Sequence, residues 1–285
     1  MLVGKIEPRL ALLRMDRMIG NWLLLWPTLI ALMLAGASQH DTKIIAICVV
    51  GVFVTRALGC VINDVCDREY DRQVKRTHNR PLANQTLTIK EAFVWACLLA
   101  TVSFALLTEL KWHTIYIAIL SAAMIMIYPW MKRVFVIPQL FLAMTFSMCI
   151  PIVFFELCDR MTPLAILLYA ANVFWVLGFD TVYALADLDD DLKIGVHSSA
   201  RWLGQFVFVF VAGCYLITSL IWMAILYHCQ AGYECYLLTL LSSVLLFKQV
   251  MLASHDTSLT GYAFNLNHWA GASYALAILL AVQYG

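Results

Sequence analysis

The sequence predicts an all-α integral membrane protein, and three observations carry that class. Hydrophobic residues make up 62% of the 285-residue chain and charged residues only 13%, giving a mean hydropathy of +0.81. Apolar runs of about 18 residues or more recur along the whole length, as expected of helices that cross a bilayer. The lysines and arginines between those runs segregate to one side. A transmembrane β-barrel would instead leave short segments of alternating polarity.

Nine candidate spans follow in order. The first, 19–36, comes after a basic N-terminal stretch with Lys5, Arg9, Arg14 and Arg17, and the second, 44–62, runs straight into a dense charged segment. Spans 92–109 and 113–130 come next, the latter closing in "YPWMKR" with Lys132 and Arg133. Spans 135–155 and 164–183 precede a second acidic segment, and 205–227, 236–252 (the shortest) and 265–283 complete the set. With the N-terminus cytoplasmic, fifteen Lys and Arg fall inside and only Lys43, Lys111 and Arg160 outside, with Arg56 left within the second span. That asymmetry orients the chain N-in and C-out. No cleavable signal precedes the first span and no Arg- and Ser-rich presequence is present, so a bacterial inner membrane is the expected location.

The charge is concentrated in two places. The stretch "CVINDVCDREYDRQVKRTHNRPL" packs nine charges into the seventeen positions 64–80. Asn63, Asp67 and Asp71 recur every fourth residue, which on a helix stacks three oxygen-bearing side chains along one stripe. The second stretch, "DTVYALADLDDDLKIGVHSSA", holds Asp180, Asp187, Asp189, Asp190 and Asp191. Aligning Asp67 and Asp71 on Asp187 and Asp191 gives one constant offset and sets Tyr183 against Asn63. The chain therefore reads as a single membrane domain, 1–285, with a possible four-helix repeat (19–130 and 135–252) and an added ninth helix, 265–283.

An acidic side chain at the centre of a membrane helix costs about 2.5–3.5 kcal/mol, so such groups face a partner or a wet cavity. Two carboxylate stripes facing each other would be strongly anionic and unstable without multivalent cations. Oxygen ligands suit hard cations, and Mg²⁺ prefers few carboxylates plus phosphate oxygens from a substrate. Nearby bases suit a diphosphate: Arg80 after the first stretch, Lys193 after the second, and Lys132. Lys75 and Arg76 read as topology signals, as do Arg9, Arg14 and Arg17. Arg56, inside an apolar span, calls for an anionic substrate group. The segment 64–90 is long for a helix connection, and Asn79-Arg80-Pro81 starts a turn there, consistent with a lid. Cys229 and Cys235 share an outside loop and could pair.

Several classes are excluded. No C-x-x-C pair, P-loop, G-x-G-x-x-G, H-E-x-x-H or G-x-S-x-G occurs, and no nucleic acid is expected as a partner. The D-G-x-x-A-R segment of CDP-alcohol phosphatidyltransferases is absent. The apolar spans exclude a soluble prenyl diphosphate synthase. A cation transporter with an acidic ion site explains the carboxylates but not the bases beside them.

The motifs resemble those of the UbiA superfamily of intramembrane prenyltransferases. N-D-x-x-D-x-x-x-D matches Asn63, Asp64, Asp67 and Asp71; D-x-x-x-D matches Asp187 and Asp191; and Y-x-x-x-K matches Tyr128 and Lys132. One departure is "DRMIG" before the first span, with Met18 in place of a frequent Pro. The resemblance, strongest over about residues 10–205, implies a bundle of about nine helices around a central cavity with both motifs on its cytoplasmic side. It implies Mg²⁺ held by Asp67, Asp71, Asp187 and Asp191, with Lys132, Arg80, Lys193 and Tyr128 toward a polyprenyl diphosphate. The implied activity is transfer of the polyprenyl group to the ring carbon meta to the carboxylate of 4-hydroxybenzoate, a step of ubiquinone synthesis. Arg56 would hold the benzoate carboxylate, and Asn63 and Tyr183 the metal shell or ring. Asp191 or the released diphosphate would take the ring proton. A naphthoate, homogentisate or haem remains an alternative acceptor, and the oligomeric state is open.

Overall fold

A computed structural model describes residues 7–284; Lys5, counted above among the inside charges, lies outside them. Among the described residues the regular structure is entirely helical: α1 Pro8–Leu12, α2 Ile19–Leu34, α3 Thr42–Cys66, α4 Arg68–Asp71, α5 Ile89–Leu107, α6 Trp112–Val134, α7 Pro138–Ser147, α8 Cys149–Cys158, α9 Pro163–Ala184, α10 Leu188–Ile194, α11 Ser199–Leu203, α12 Val207–His228, α13 Tyr233–His255 and α14 Thr260–Tyr284, with short 3₁₀ turns between some of them. Among the described residues, seven helical stretches are long and apolar enough to cross a membrane. The first apolar run forms the shorter α2, of 16 residues.

Local sequence sets the ends of these helices. Thr88 and Glu91 form a reciprocal capping box at the start of α5, the Thr88 N–H donating to Glu91 Oε2 at 2.9 Å and the Glu91 N–H to Thr88 Oγ1 at 3.2 Å. Thr162 caps α9, with Pro163 at its first position. The run expected as one span at 135–155 is one membrane-length stretch, Pro138–Cys158, broken at Met148 into two helices. Pro151 explains the break: it has no N–H to donate to the carbonyl of Ser147, and its ring crowds that carbonyl.

Helix α9 is the most enclosed. Leu168, Trp175, Val176 and Phe179 are buried along it, where it packs against α7, α12, α14 and α2. On the other side α3 packs against α2, α5 and α6. Many large apolar side chains face outward, among them Phe93, Phe104 and Leu220, as lipid contact requires. Exposed Trp112, Tyr116, Tyr227 and Tyr233 ring the helix ends where a membrane–water interface falls.

The polar residues of α14 lock helices together. Asn267 Oδ1 accepts from Trp175 Nε1 at 2.9 Å, and Trp26 Nε1 donates to His268 Nδ1 at 3.3 Å. These bonds tie α14 to α9 and α2. Gly271 lies where both indoles close in: a Cβ there would sit 2.5 Å from Trp26 Cδ1 and 2.8 Å from Trp175 Cη2. Cys229 and Cys235 are free thiols. We expect Gly271→Val to cost about 1–3 kcal/mol and lower the thermal midpoint in detergent. Gly213→Ala, on α12 with open space around it, should be neutral or mildly stabilising in the same measurement.

Candidate active site

Each acidic segment spans the point where a long helix breaks at an aspartate. Helix α3 stops at Cys66 and Asp67 sits at φ −95°, ψ 4° before α4 resumes. Helix α9 stops at Ala184, tightens into a 3₁₀ turn, and Asp187 sits at φ −109°, ψ 1° before α10. Both fall near the bridge region, a sparsely occupied conformation common among active-site residues. The expected continuous helical stripe is thus kinked on the first wall. It survives because the Asp67 N–H still donates to the Asn63 carbonyl, and the Asp71 N–H to that of Asp67, each at 2.8 Å.

The two segments meet across one cavity of about 950 Å³. Its lining brings together Arg56, Asn63, Asp67, Asp71, Arg80, Tyr128, Lys132, Tyr183, Asp187 and Asp191. Lys193 stands apart: its side chain is 68% exposed and reaches only Asp190, at 3.4 Å. Beyond the charged end the cavity is apolar, walled by Leu23, Leu24, Ile47, Val52, Ile125 and Ile152. The His197 N–H donates to the Lys132 carbonyl at 3.0 Å, tying the segment after the second motif to the end of α6.

The site is not the bare anionic pocket that the acids alone imply, because basic side chains interleave with them. Lys132 Nζ donates to Asp67 Oδ2 at 2.8 Å and lies 3.4 Å from Asn63 Oδ1. Arg80 Nη1 donates to Asp71 Oδ2 at 2.8 Å. Arg76 makes a two-pronged pair with Asp187, Nε to Oδ1 at 2.8 Å and Nη2 to Oδ2 at 2.5 Å, and donates to the Tyr183 hydroxyl at 2.6 Å. Its guanidinium also covers the Tyr183 ring, 4.5 Å from the centroid. Burial opposes the charge on Arg76, but the hydrogen bond to Asp187 and the nearby Tyr183, Asp187 and Asp71 together outweigh it and hold the guanidinium protonated. Burial raises the Asp71 carboxyl above its ordinary range, against the pull of Arg80 and with a further push from Asp64.

Arg76 is therefore a site residue that sequence reasoning set aside as a topology signal; the signal that pointed to it was the run "VKRTHNRPL" continuing the first motif. Arg14 is another. Its Nη2 donates to buried Asp64 at 2.6 Å, and Arg80 shares the same Asp64 oxygen at 3.2 Å. Arg14 holds a left-handed backbone, φ 57°, a strained state for a residue with a long side chain. The 64–90 segment is an ordered cover: Leu82 and Leu87 are buried with Leu12, Val61 and Ala92.

Three charged groups lining the cavity, Arg56, Asp180 and Asp191, make no ion pair among the described residues. Arg56 makes no salt bridge or hydrogen bond among the described residues, and its Nε is buried without a partner. Its guanidinium lies over the Phe146 ring, 5.4 Å from the centroid, and directly against Gly20, whose missing Cβ leaves the room. Asp180, which the sequence placed in the second acidic segment without a role, also lines the cavity.

The four predicted ligands are all carboxylates lining one cavity, which suits a hard cation. No three carboxylate, His or Cys side chains among the described residues are drawn close enough to hold an ion by themselves.

The sequence pattern of the UbiA prenyltransferase family matches residues 24–282. The chain belongs to that family. The 4-hydroxybenzoate octaprenyltransferase of Vibrio atlanticus is 36% identical over 281 residues, 98% of this chain and 99% of the relative. That of Tolumonas auensis is 40% identical over 276 residues, 96% of each. The apo UbiA homolog from Aeropyrum pernix K1 shares the fold at a TM-score of 0.79 with 22% identity, over 91% of this chain and 96% of that one. A UbiA homolog from Archaeoglobus fulgidus, bound to GPP and Mg²⁺, shares it at 0.65 with 15% identity, over 94% and 99%.

Removing one partner of the Arg76–Asp187 pair strands the other. Arg76→Met should cost about 1.5–3 kcal/mol, the range for a hydrogen bond to a charged group, read as a lower thermal midpoint. Lys193→Met, at an exposed pair, should stay within about 0.5 kcal/mol.

Proposed function

We propose that this UbiA-family chain transfers a polyprenyl group from polyprenyl diphosphate to the ring carbon of 4-hydroxybenzoate meta to its carboxylate, a step of ubiquinone biosynthesis. The observation that carries the reading is the convergence of both acidic motifs and their interleaved bases on one cavity that is charged at one end and apolar beyond. The full-length likeness to relatives named 4-hydroxybenzoate octaprenyltransferase supports the acceptor and the donor class.

In this reading the diphosphate lies at the charged end. Lys132, Arg80 and Arg76 exchange carboxylate for phosphate oxygens as it enters, so the charge on the departing diphosphate meets donors already in place. Lys193 would need to turn inward to join them. Asp67, Asp71, Asp187 and Asp191 would hold Mg²⁺, which when bound supplies charge neutralisation at the phosphate oxygens. The prenyl chain follows the apolar walls, which keep water from the allylic cation. Arg56 takes the benzoate carboxylate, the natural partner for a buried guanidinium with an unused donor. Tyr128 and Tyr183 border the ring, and Asn63 orients Lys132 at 3.4 Å.

The membrane is taken to be a bacterial inner membrane, with the motif end of the cavity facing the cytoplasm. The matching backbone at Asp67 and Asp187 supports reading residues 19–130 and 135–252 as an internal repeat followed by a ninth helix.

Purified protein in detergent, given geranyl diphosphate and Mg²⁺, should alkylate 4-hydroxybenzoate, and chelation of the metal should stop it. Product from a naphthoate alone would overturn the acceptor; no product from any acceptor would overturn the enzyme reading. Asp67→Ala and Asp191→Ala should abolish turnover. Arg56→Ala should chiefly raise KM for the benzoate, and an unchanged benzoate KM would remove Arg56 from that role.

A further inference from the structure

Alkylating an aromatic ring leaves a proton to be removed, and the cavity holds few groups able to take it. Lysine and arginine side chains there are cationic. Asp64, Asp67, Asp71 and Asp187 already accept from Arg or Lys. Asp191 stands on α10 at the diphosphate end, four residues after Asp187. Asp191 likewise makes no ion pair among the described residues, but it is one of the four proposed metal ligands, which leaves Asp180 as the remaining cavity-lining carboxylate of α3 and α9. It is half-buried, lines the cavity, and makes no hydrogen bond or ion pair among the described residues. The charges of Lys132, Arg56, Arg76 and Asp187 act on it across that space. An unpaired acid within a membrane helix is costly unless a substrate uses it.

Its depth is suited to the ring. Helices α3 and α9 both carry their motif at the C-terminal end, on the same end of the cavity. Arg56 precedes Asp67 by eleven residues, and Asp180 precedes Asp187 by seven. At about 1.5 Å per residue, Arg56 lies ~16 Å and Asp180 ~10 Å from the motif aspartates. A benzoate held by its carboxylate on Arg56 points its hydroxyl, and the carbon beside it, toward the diphosphate and into the layer of Asp180.

Resting on the acceptor assigned above, we propose that Asp180 is a catalytic residue, the base that removes the ring proton. The bond from the prenyl carbon to the diphosphate oxygen breaks, and its electron pair leaves with the oxygen. A ring π pair forms the new carbon–carbon bond. The proton on the alkylated carbon passes to an Asp180 carboxylate oxygen, and the C–H pair restores the aromatic ring. The neutral acid then returns its proton to the released diphosphate, which resets the carboxylate.

The test uses full-length protein in detergent with Mg²⁺, geranyl diphosphate, and 4-hydroxybenzoate deuterated at both carbons ortho to the hydroxyl. Wild type should show no primary isotope effect, because cation formation limits the rate. Asp180→Asn should lower kcat by roughly 10²- to 10⁴-fold, the usual contribution of a positioned base, with KM for geranyl diphosphate unchanged. A primary deuterium isotope effect should appear in that variant as proton loss becomes limiting. Asp180→Glu should recover part of kcat and shrink the isotope effect; if Asp180→Asn is silent, the effect is read on Asp180→Glu. Near-wild-type turnover in Asp180→Asn overturns the proposal. So does a loss without an isotope effect, which would mark a structural role. Failure of the wild type to alkylate the benzoate at all would instead count against the acceptor, and the role of Asp180 falls with it.

Discussion

The compensation of carboxylates at the end of a membrane bundle is the constraint on which the rest of this structure depends. Asp64, Asp67, Asp71 and Asp187 are each largely withdrawn from solvent, and each meets an arginine or lysine from a different part of the chain. Lys132 comes from the end of α6, Arg76 and Arg80 from the covering segment, and Arg14 from the turn before α2. Charge neutralisation therefore does tertiary work: it draws four separate stretches onto one opening. The apolar cluster of Leu12, Val61, Leu82, Leu87 and Ala92 holds the cover and the N-terminal turn at the distance those pairs need.

The same pairing makes the resting site ready for its substrate. Bases that already lie among the acids need not be recruited from solvent, and their reorganisation is a change of partner over a short distance. A buried pair of this kind contributes little net stability, since desolvation consumes most of the Coulomb gain. In the proposed reaction its value lies in preorganisation, with donors already aimed at the place where charge would develop.

Much of this was legible in the sequence. Apolar length found the helices because a bilayer imposes it, and the fourfold spacing of Asn63, Asp67 and Asp71 found one wall because i→i−4 bonds persist through the kink at Asp67. What sequence reasoning missed depends on the folding back of chain segments. Arg76 and Arg14 look like ordinary inside-facing charges until the cover closes, and positive-inside bias is a sufficient explanation for any cation there. Lys193 is the converse case, a base near a motif whose helix turns it outward. The break at Met148 was readable from Pro151, but a mean-hydropathy run conceals it. Asp180 was visible as an acid, yet only the pairing of Asp64, Asp67, Asp71 and Asp187 with bases sets it apart from them.

The contact between Gly20 and Arg56 has a consequence for how such a protein can diversify. The guanidinium rests where a side chain at position 20 would begin, so α2, which carries none of the acidic motifs, sets the height of the anchor proposed for the acceptor. Changes on that helix can retune which aromatic acid is admitted while the phosphate end stays untouched. With the roles proposed for Arg56 and the motif end, acceptor choice and leaving-group chemistry fall under separate mutational control.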